Sequence, residues 1–193
     1  MIYTTYADVI RPSIKKEARV YDIVLVFGAS IFIALCAQIT IPVPFSPVPI
    51  TGQTFAILLT GVLLGSKRGS LAVLVYITEG AFGIPVFAGA GFGVAHLFGP
   101  TGGYLFGFIP AAFVCGFLAE RGLDRYFFSA FFIMLIGSFI IFLCGLFWLA
   151  AFVGIANIFT MGLIPFIPGA IIQMLLATVL VPGGWKLLGL RGK

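Results

Sequence analysis

Apolar residues run along this chain in long blocks, without the alternation of a half-buried strand or the one-sided stripe of a surface helix. Charged side chains are absent from residues 23–66, 80–119 and 126–185. A helix needs about 20 apolar residues to cross roughly 30 Å of hydrocarbon, so these blocks predict membrane spans. Breaks at prolines, glycines and charge clusters divide them into six: residues 22–41, 54–65, 70–84, 101–119, 127–153 and 163–181. The expected fold is an all-α integral membrane protein with a single membrane domain over residues 1–193.

Two breaks are themselves informative. Residues 41–53 read IPVPFSPVPITGQ, and prolines 42, 44, 47 and 49 exclude helix there. The span after them, residues 54–65, is too short to cross alone at 1.5 Å per residue, so the Pro-rich segment is expected to dip into the protein and complete the crossing. Residues 80–107 hold nine of the 25 glycines, two prolines and the sole histidine, with no Lys, Arg, Asp or Glu. Irregular backbone at membrane depth is tolerated where it is buried in protein or lines a cavity, which makes this stretch a candidate ligand site.

Composition excludes a soluble protein: 61% of residues are hydrophobic, 9% are charged, and the mean hydropathy is +1.20. The net charge of +5 does not point to nucleic acid, because the basic residues sit in short clusters beside apolar runs. Four precede the first span, two lie between spans two and three, two between four and five, and three follow the sixth. All eleven then fall on one side, so both termini are expected in the cytoplasm, with the Pro-rich and Gly-rich loops outside. The basic N-terminal region before an apolar run also suggests a secretory signal, and Ile33-Ala34-Leu35-Cys36 loosely resembles a lipoprotein cleavage site. Leu35 stands where a small residue is required, so the segment is kept as the first span.

Catalysis finds little support. There is one histidine, no metal-ligand spacing and no phosphate-binding GxxxxGK[ST] loop, so no enzyme activity and no cofactor are expected. Cys36, Cys115 and Cys144 lie singly in apolar segments and read as core residues. His96 reads as a loop residue at the membrane interface. Glu79, the one carboxylate deep in an apolar block, could accept hydrogen bonds from a ligand or be satisfied by Tyr76 and loop amides. The segment Gly99-Pro100-Thr101-Gly102-Gly103-Tyr104 offers helix-start amides to a carboxylate, while Gly99, Gly103 and Gly107 also have the spacing of close helix packing. Gln38, Gln53 and Gln173 need partners in an apolar setting, from a ligand or another helix. Ser30 and Ala34 form a small-residue face suited to helix docking or to internal packing.

Four motifs together resemble the BioY family: PVPITGQT at residues 47–54, GIPVFAGAGFG at 83–93, GPTGGYLFGF at 99–108 and PFIPG at 165–169. The resemblance covers nearly the whole chain in order. It implies a six-helix S-component of an energy-coupling-factor transporter, in a bacterial plasma membrane, that captures biotin from outside. It further implies coupling to a T-component and two ATPase subunits, with Ser30 and Ala34 at the T-component contact. In the family, PFxPG is usually followed by Asp, two apolar residues and Lys, implicated in holding the biotin head. Here those positions are Ala170, Ile171, Ile172 and Gln173, and a loop residue that is Asn in some members is Gly91. The expected binding set is therefore Gln53, Glu79, Gly89, Gly91, Thr101, Gly102, Gly103, Tyr104, Ala170 and Gln173, with Glu79 and Gln173 replacing the lost charges at the ureido ring. The rivals are a different vitamin or biotin precursor as ligand, and a non-transporting membrane scaffold.

Overall fold

The computed structural model of the chain describes residues 5–189. Arg191 and Lys193, counted above in the charge pattern, lie outside them. The helices are α1 (Tyr6–Val9), α2 (Lys15–Ala37), α3 (Gln53–Leu64), α4 (Ser66–Ala81), α5 (Val94–Leu97), α6 (Gly102–Ala119), α7 (Phe127–Val153), α8 (Ile158–Gly162) and α9 (Ile167–Leu187). Four stretches are long and apolar enough to cross a membrane: α2, α6, α7 and the continuous Ile155–Leu187. At 1.5 Å per residue the 12 residues of α3 rise only about 18 Å. The Pro-rich segment ahead of it makes a two-stranded antiparallel hairpin, β1 (Thr40–Ile41) with β2 (Ile50–Thr51), pairing Thr40 with Thr51 and Ile41 with Ile50. The hairpin satisfies backbone groups that the prolines keep out of a helix.

Glycine lets the helices approach until their backbones touch. A Cβ at Gly61 would lie 2.6 Å from the Ala112 carbonyl oxygen, and one at Gly116 would lie 2.4 Å from the Ser66 nitrogen, so α3, α4 and α6 meet at small residues. On the other side of α6, a Cβ at Gly107 would lie 2.9 Å from that of Cys144 on α7. The central α6 is thereby enclosed, whereas α2 turns Ile23, Phe27, Ile31 and Leu35 outward.

One end of the bundle is charged. Arg68, at the start of α4, pairs with Asp8 and lies 3.3 Å from Asp22, which also takes Arg11 at 2.6 Å. Beside them Trp185 is fully buried; its indole N–H donates to Asp124 at 2.6 Å and its ring lies 4.1 Å from that of Tyr6. These contacts mark one difference from the sequence reading. The sixth span was expected over residues 163–181, yet α9 runs through Pro182 to Leu187, with Trp185 in its final turns held by Asp124.

The opposite end is built from loops. Ser46, in the Pro-rich segment, donates its hydroxyl to the Met161 carbonyl at 2.6 Å, and Trp148 donates to the Gly99 carbonyl at 3.0 Å. The segments around residues 46, 99 and 161 therefore form one cap.

Candidate functional site

Beneath this cap lies a cavity. The hairpin contributes Val48, Pro49, Ile50 and Thr51 to its wall, and α3 contributes Gln53 and Thr54. Ala88 and His96 come from the Gly-rich loop and Thr101 from the turn before α6, while Tyr104, Leu105 and Phe108 come from α6 itself. The remaining wall is Ile141, Phe142, Phe166, Ala170 and Gln173. The surface is mixed: aromatic and aliphatic faces interrupted by amides, hydroxyls and one imidazole, the usual constitution of a small-molecule site.

Three glutamines fix its shape. Gln173 of α9 accepts from the Phe55 backbone N–H at 2.9 Å and donates to the Thr51 carbonyl at 2.9 Å, tying α9 to the first turn of α3 and to the hairpin. Gln53 accepts from the Thr51 hydroxyl at 3.1 Å and donates to the Tyr76 hydroxyl at 2.5 Å, which donates onward to the Val86 carbonyl at 3.2 Å. Gln38, at the end of α2, donates to the carbonyls of Val86 and Phe87 at 3.3 and 3.2 Å, and accepts from the Ala90 N–H at 3.0 Å. The amides, of buried Gln53, half-buried Gln173 and exposed Gln38, thus find partners in the protein and hold the wall in one arrangement.

The Gly-rich loop folds back on α4 because Gly80 leaves room for Phe87: a Cβ there would lie 2.1 Å from the ring. Phe87 meets Tyr76 edge-on at 5.6 Å and stacks on His96 at 5.0 Å. Gly89, at φ +64°, makes a left-handed turn without the Cβ penalty, and Ala90 follows it at φ +58°. His96 is half-buried, and burial pushes its pKa below the ordinary histidine value.

The sequence-predicted residues separate into groups. Gln53, Thr101, Tyr104, Ala170 and Gln173 line the cavity, and Gly89 and Gly91 flank it beside Ala88. Gly102 and Gly103 belong to helix packing: their Cβ positions would fall 1.9 Å from the Leu97 carbonyl and 2.2 Å from Trp148. The Gly102 N–H donates to Gly99 at 3.0 Å, so it is already engaged within the chain. Glu79 does not line the cavity. It accepts the Ser30 hydroxyl at 2.5 Å on the seam between α4 and α2, and the structure separates it from Gln173. Ser30 is fully buried, and Ala34 is partly buried against the core. Sequence reasoning left Thr51 and Thr54 out of the binding set and read His96 as a loop residue at the membrane interface, whereas all three line the cavity. The usable signal for His96 was its place as the chain's one histidine inside the Gly-rich stretch.

A helical membrane protein that encloses a mixed polar and apolar cavity beneath ordered loops is, by architecture, a small-molecule-binding membrane protein. More particularly, the chain belongs to the BioY family, which it matches over residues 12–190. It is 43% identical over 154 residues to a probable biotin transporter BioY of Pyrococcus horikoshii, spanning 78% of this chain and 90% of that protein. It is 41% identical over 154 residues to a biotin transporter BioY of Thermotoga maritima, spanning 79% and 90% respectively. Its fold is similar to the crystal structure of the S-component for biotin from an ECF-type ABC transporter, with a TM-score of 0.81 and 28% identity over 90% of this chain and 95% of that one.

Proposed function

We propose that the chain is a biotin-capturing transport subunit: an S-component that takes biotin into the cavity beneath its Pro- and Gly-rich loops. The observation that carries this reading is the cavity itself, whose amide-braced wall joins α3, α6, α7 and α9 of a BioY-family fold. Thr51, Gln53, Thr54, His96, Thr101 and Gln173 supply polar atoms, and Phe108, Phe142 and Phe166 supply apolar faces for a fused-ring ligand. Six crossings, with α3 completed by the hairpin, put the charged end in the cytoplasm and the cap outside. With no phosphate-binding motif in the chain, energy comes from separate ATPase subunits through a T-component. The T-component meets α2 on its outward strip of Phe27, Ile31 and Leu35, next to the open surface of Gly28. Co-purification with a T-component that survives bulky substitution of Gly28 would count against that contact.

The test is equilibrium binding of biotin to the purified protein in detergent, with excess unlabelled biotin as the specificity control. Saturable binding tighter than about 1 μM, or roughly 8 kcal/mol, is expected. Folded protein without saturable binding would overturn the reading. One observation favours a second ligand: Ala170 presents a methyl group to the cavity where the family usually carries a carboxylate. A precursor of biotin or another vitamin would then displace labelled biotin more effectively than biotin itself does.

A further inference from the structure

The residues lining the cavity include no Lys, Arg, Asp or Glu. A ligand that carries a carboxylate would therefore enter without a permanent countercharge. Two lining side chains titrate, and the other, Tyr104, already donates its hydroxyl to the Gly162 carbonyl at 2.8 Å. Only the His96 ring can acquire positive charge at this surface.

We propose that His96 is the anion-recognising residue of the cavity, binding the ligand's carboxylate and taking up a proton as it does so. This rests on the biotin-capture reading above. Three features support it. The imidazole lines the cavity and holds no side-chain hydrogen bond to the described residues, so its ring nitrogens remain available. Phe87 stacks beneath it at 5.0 Å with an interplanar angle of 18°, fixing the ring and favouring its charged form through the aromatic face. Gly91 makes the space: a Cβ there would lie 2.8 Å from Nδ1 and 2.7 Å from Cε1, so any side chain at residue 91 would dislodge the imidazole. Thr101 lines the same cavity at the turn before α6 and adds a hydroxyl donor.

The groups around His96 leave the charge balance to the ligand. The loop offers Phe87 and Gly91, while α3, α6 and α9 offer Gln53, Thr54, Tyr104 and Gln173, all uncharged at neutral pH. Glu79 on α4 is engaged with Ser30 and does not line the cavity. In the empty site, burial keeps the imidazole neutral at pH 7. A bound carboxylate favours the imidazolium, so proton uptake accompanies binding. Affinity must then rise as pH falls through the ligand-bound pKa, and level off below that of the empty site.

The experiment measures binding of biotin and of biotinamide, its neutral amide, between pH 5.5 and 8, a range over which the carboxylate stays ionised. Biotin should bind the parent at least about fivefold more tightly at pH 5.5 than at pH 8, because each unit of pKa rise is worth up to about tenfold in affinity. Biotinamide should show a flat profile. His96→Gln keeps a hydrogen-bond donor that does not titrate, so it should bind biotin more weakly than the parent at pH 5.5 and show the same affinity at pH 5.5 as at pH 8. A flat biotin profile for the parent, or an equal slope for biotinamide, would overturn the proposal while leaving biotin capture intact. A slope retained in His96→Gln would overturn it too. A parent that binds biotin at no pH would remove both readings together.

Discussion

The side-chain amide of Gln53 and the hydroxyl of Tyr76 are joined at 2.5 Å, and this bond couples the cavity wall on α3 to the core of α4. Tyr76 is fully buried and passes the connection on to the Val86 carbonyl. Tyr76→Phe would leave the Gln53 side-chain NH2 without its partner and the Val86 carbonyl with Gln38 alone. The expected loss is about 1–3 kcal/mol of stability. It should appear as a lower melting temperature in detergent, with ligand affinity reduced about threefold to tenfold. An unchanged melting temperature would mean that water replaces the hydroxyl.

Gln173 holds the hairpin and the first turn of α3 through two bonds of opposite polarity. Gln173→Ala removes both and should weaken biotin binding by about tenfold or more, each lost bond being worth about 1 kcal/mol. Gln173→Glu retains the acceptor for Phe55 and loses the donor to Thr51. Calorimetry should place it between the alanine variant and the parent; equal losses in the two variants would show that only the Thr51 contact matters.

Glu79→Ala separates the seam from the site. Because Glu79 contacts Ser30 and not the cavity, biotin affinity should stay within about twofold of the parent while stability falls by about 1–3 kcal/mol, read as a lower melting temperature. A large loss of affinity in a normally stable variant would return Glu79 to the ligand set.

The membrane helices and their Gly- and Pro-rich interruptions were legible because lipid burial is written in composition, block by block. Which face of each helix turns inward was not. Lipid is as apolar as the protein core, so hydrophobicity does not mark the inside of a membrane bundle. On α2 the polar Ser30 is buried and Phe27 is exposed, the reverse of a soluble helix. For the same reason Glu79 could be recognised as unusual without its partner being foreseen. Gln173 stood out by residue type, but its two partners lie more than 100 positions away in the chain. His96 was hidden for a different reason: its position depends on how Gly80, Gly89 and Gly91 let the loop fold back, and glycine spacing alone does not specify that path.

At the charged end, burial raises the Asp124 carboxyl from its ordinary value to about 6. Between the unfolded value near 4 and this folded value, the native protein binds more protons than the unfolded one. Its contribution is therefore favourable below about pH 4 and is lost as pH rises through about 6. Asp124→Asn keeps an acceptor for the Trp185 indole and should flatten this component of the melting profile between pH 4 and 6.5. A slope identical to that of the parent would assign the pH dependence elsewhere.

The contact between α6 and α7 leaves no room at Gly103, where a Cβ would lie 2.6 Å from the Cys144 carbonyl oxygen as well as against Trp148. Gly103→Ala must push the helices apart and should cost about 1–3 kcal/mol. Thermal unfolding in detergent measures the loss; a variant as stable as the parent would mean that the helices shift without penalty.

Gln38 grips three backbone groups of the Gly-rich loop from the last turn of α2, the helix that shows most of its length to the surroundings. The loop that gives Ala88 and His96 to the cavity is therefore tied to this outer helix through one side chain. A tilt of α2 would strain this hold, while the loop keeps its separate attachment to α4 through the Gly93 N–H and the Gly80 carbonyl. Exchange of the Ala90 amide proton reports directly on the Gln38 contact: faster exchange when α2 is held by a partner would mean that this contact has been broken, and unchanged exchange would mean that it persists.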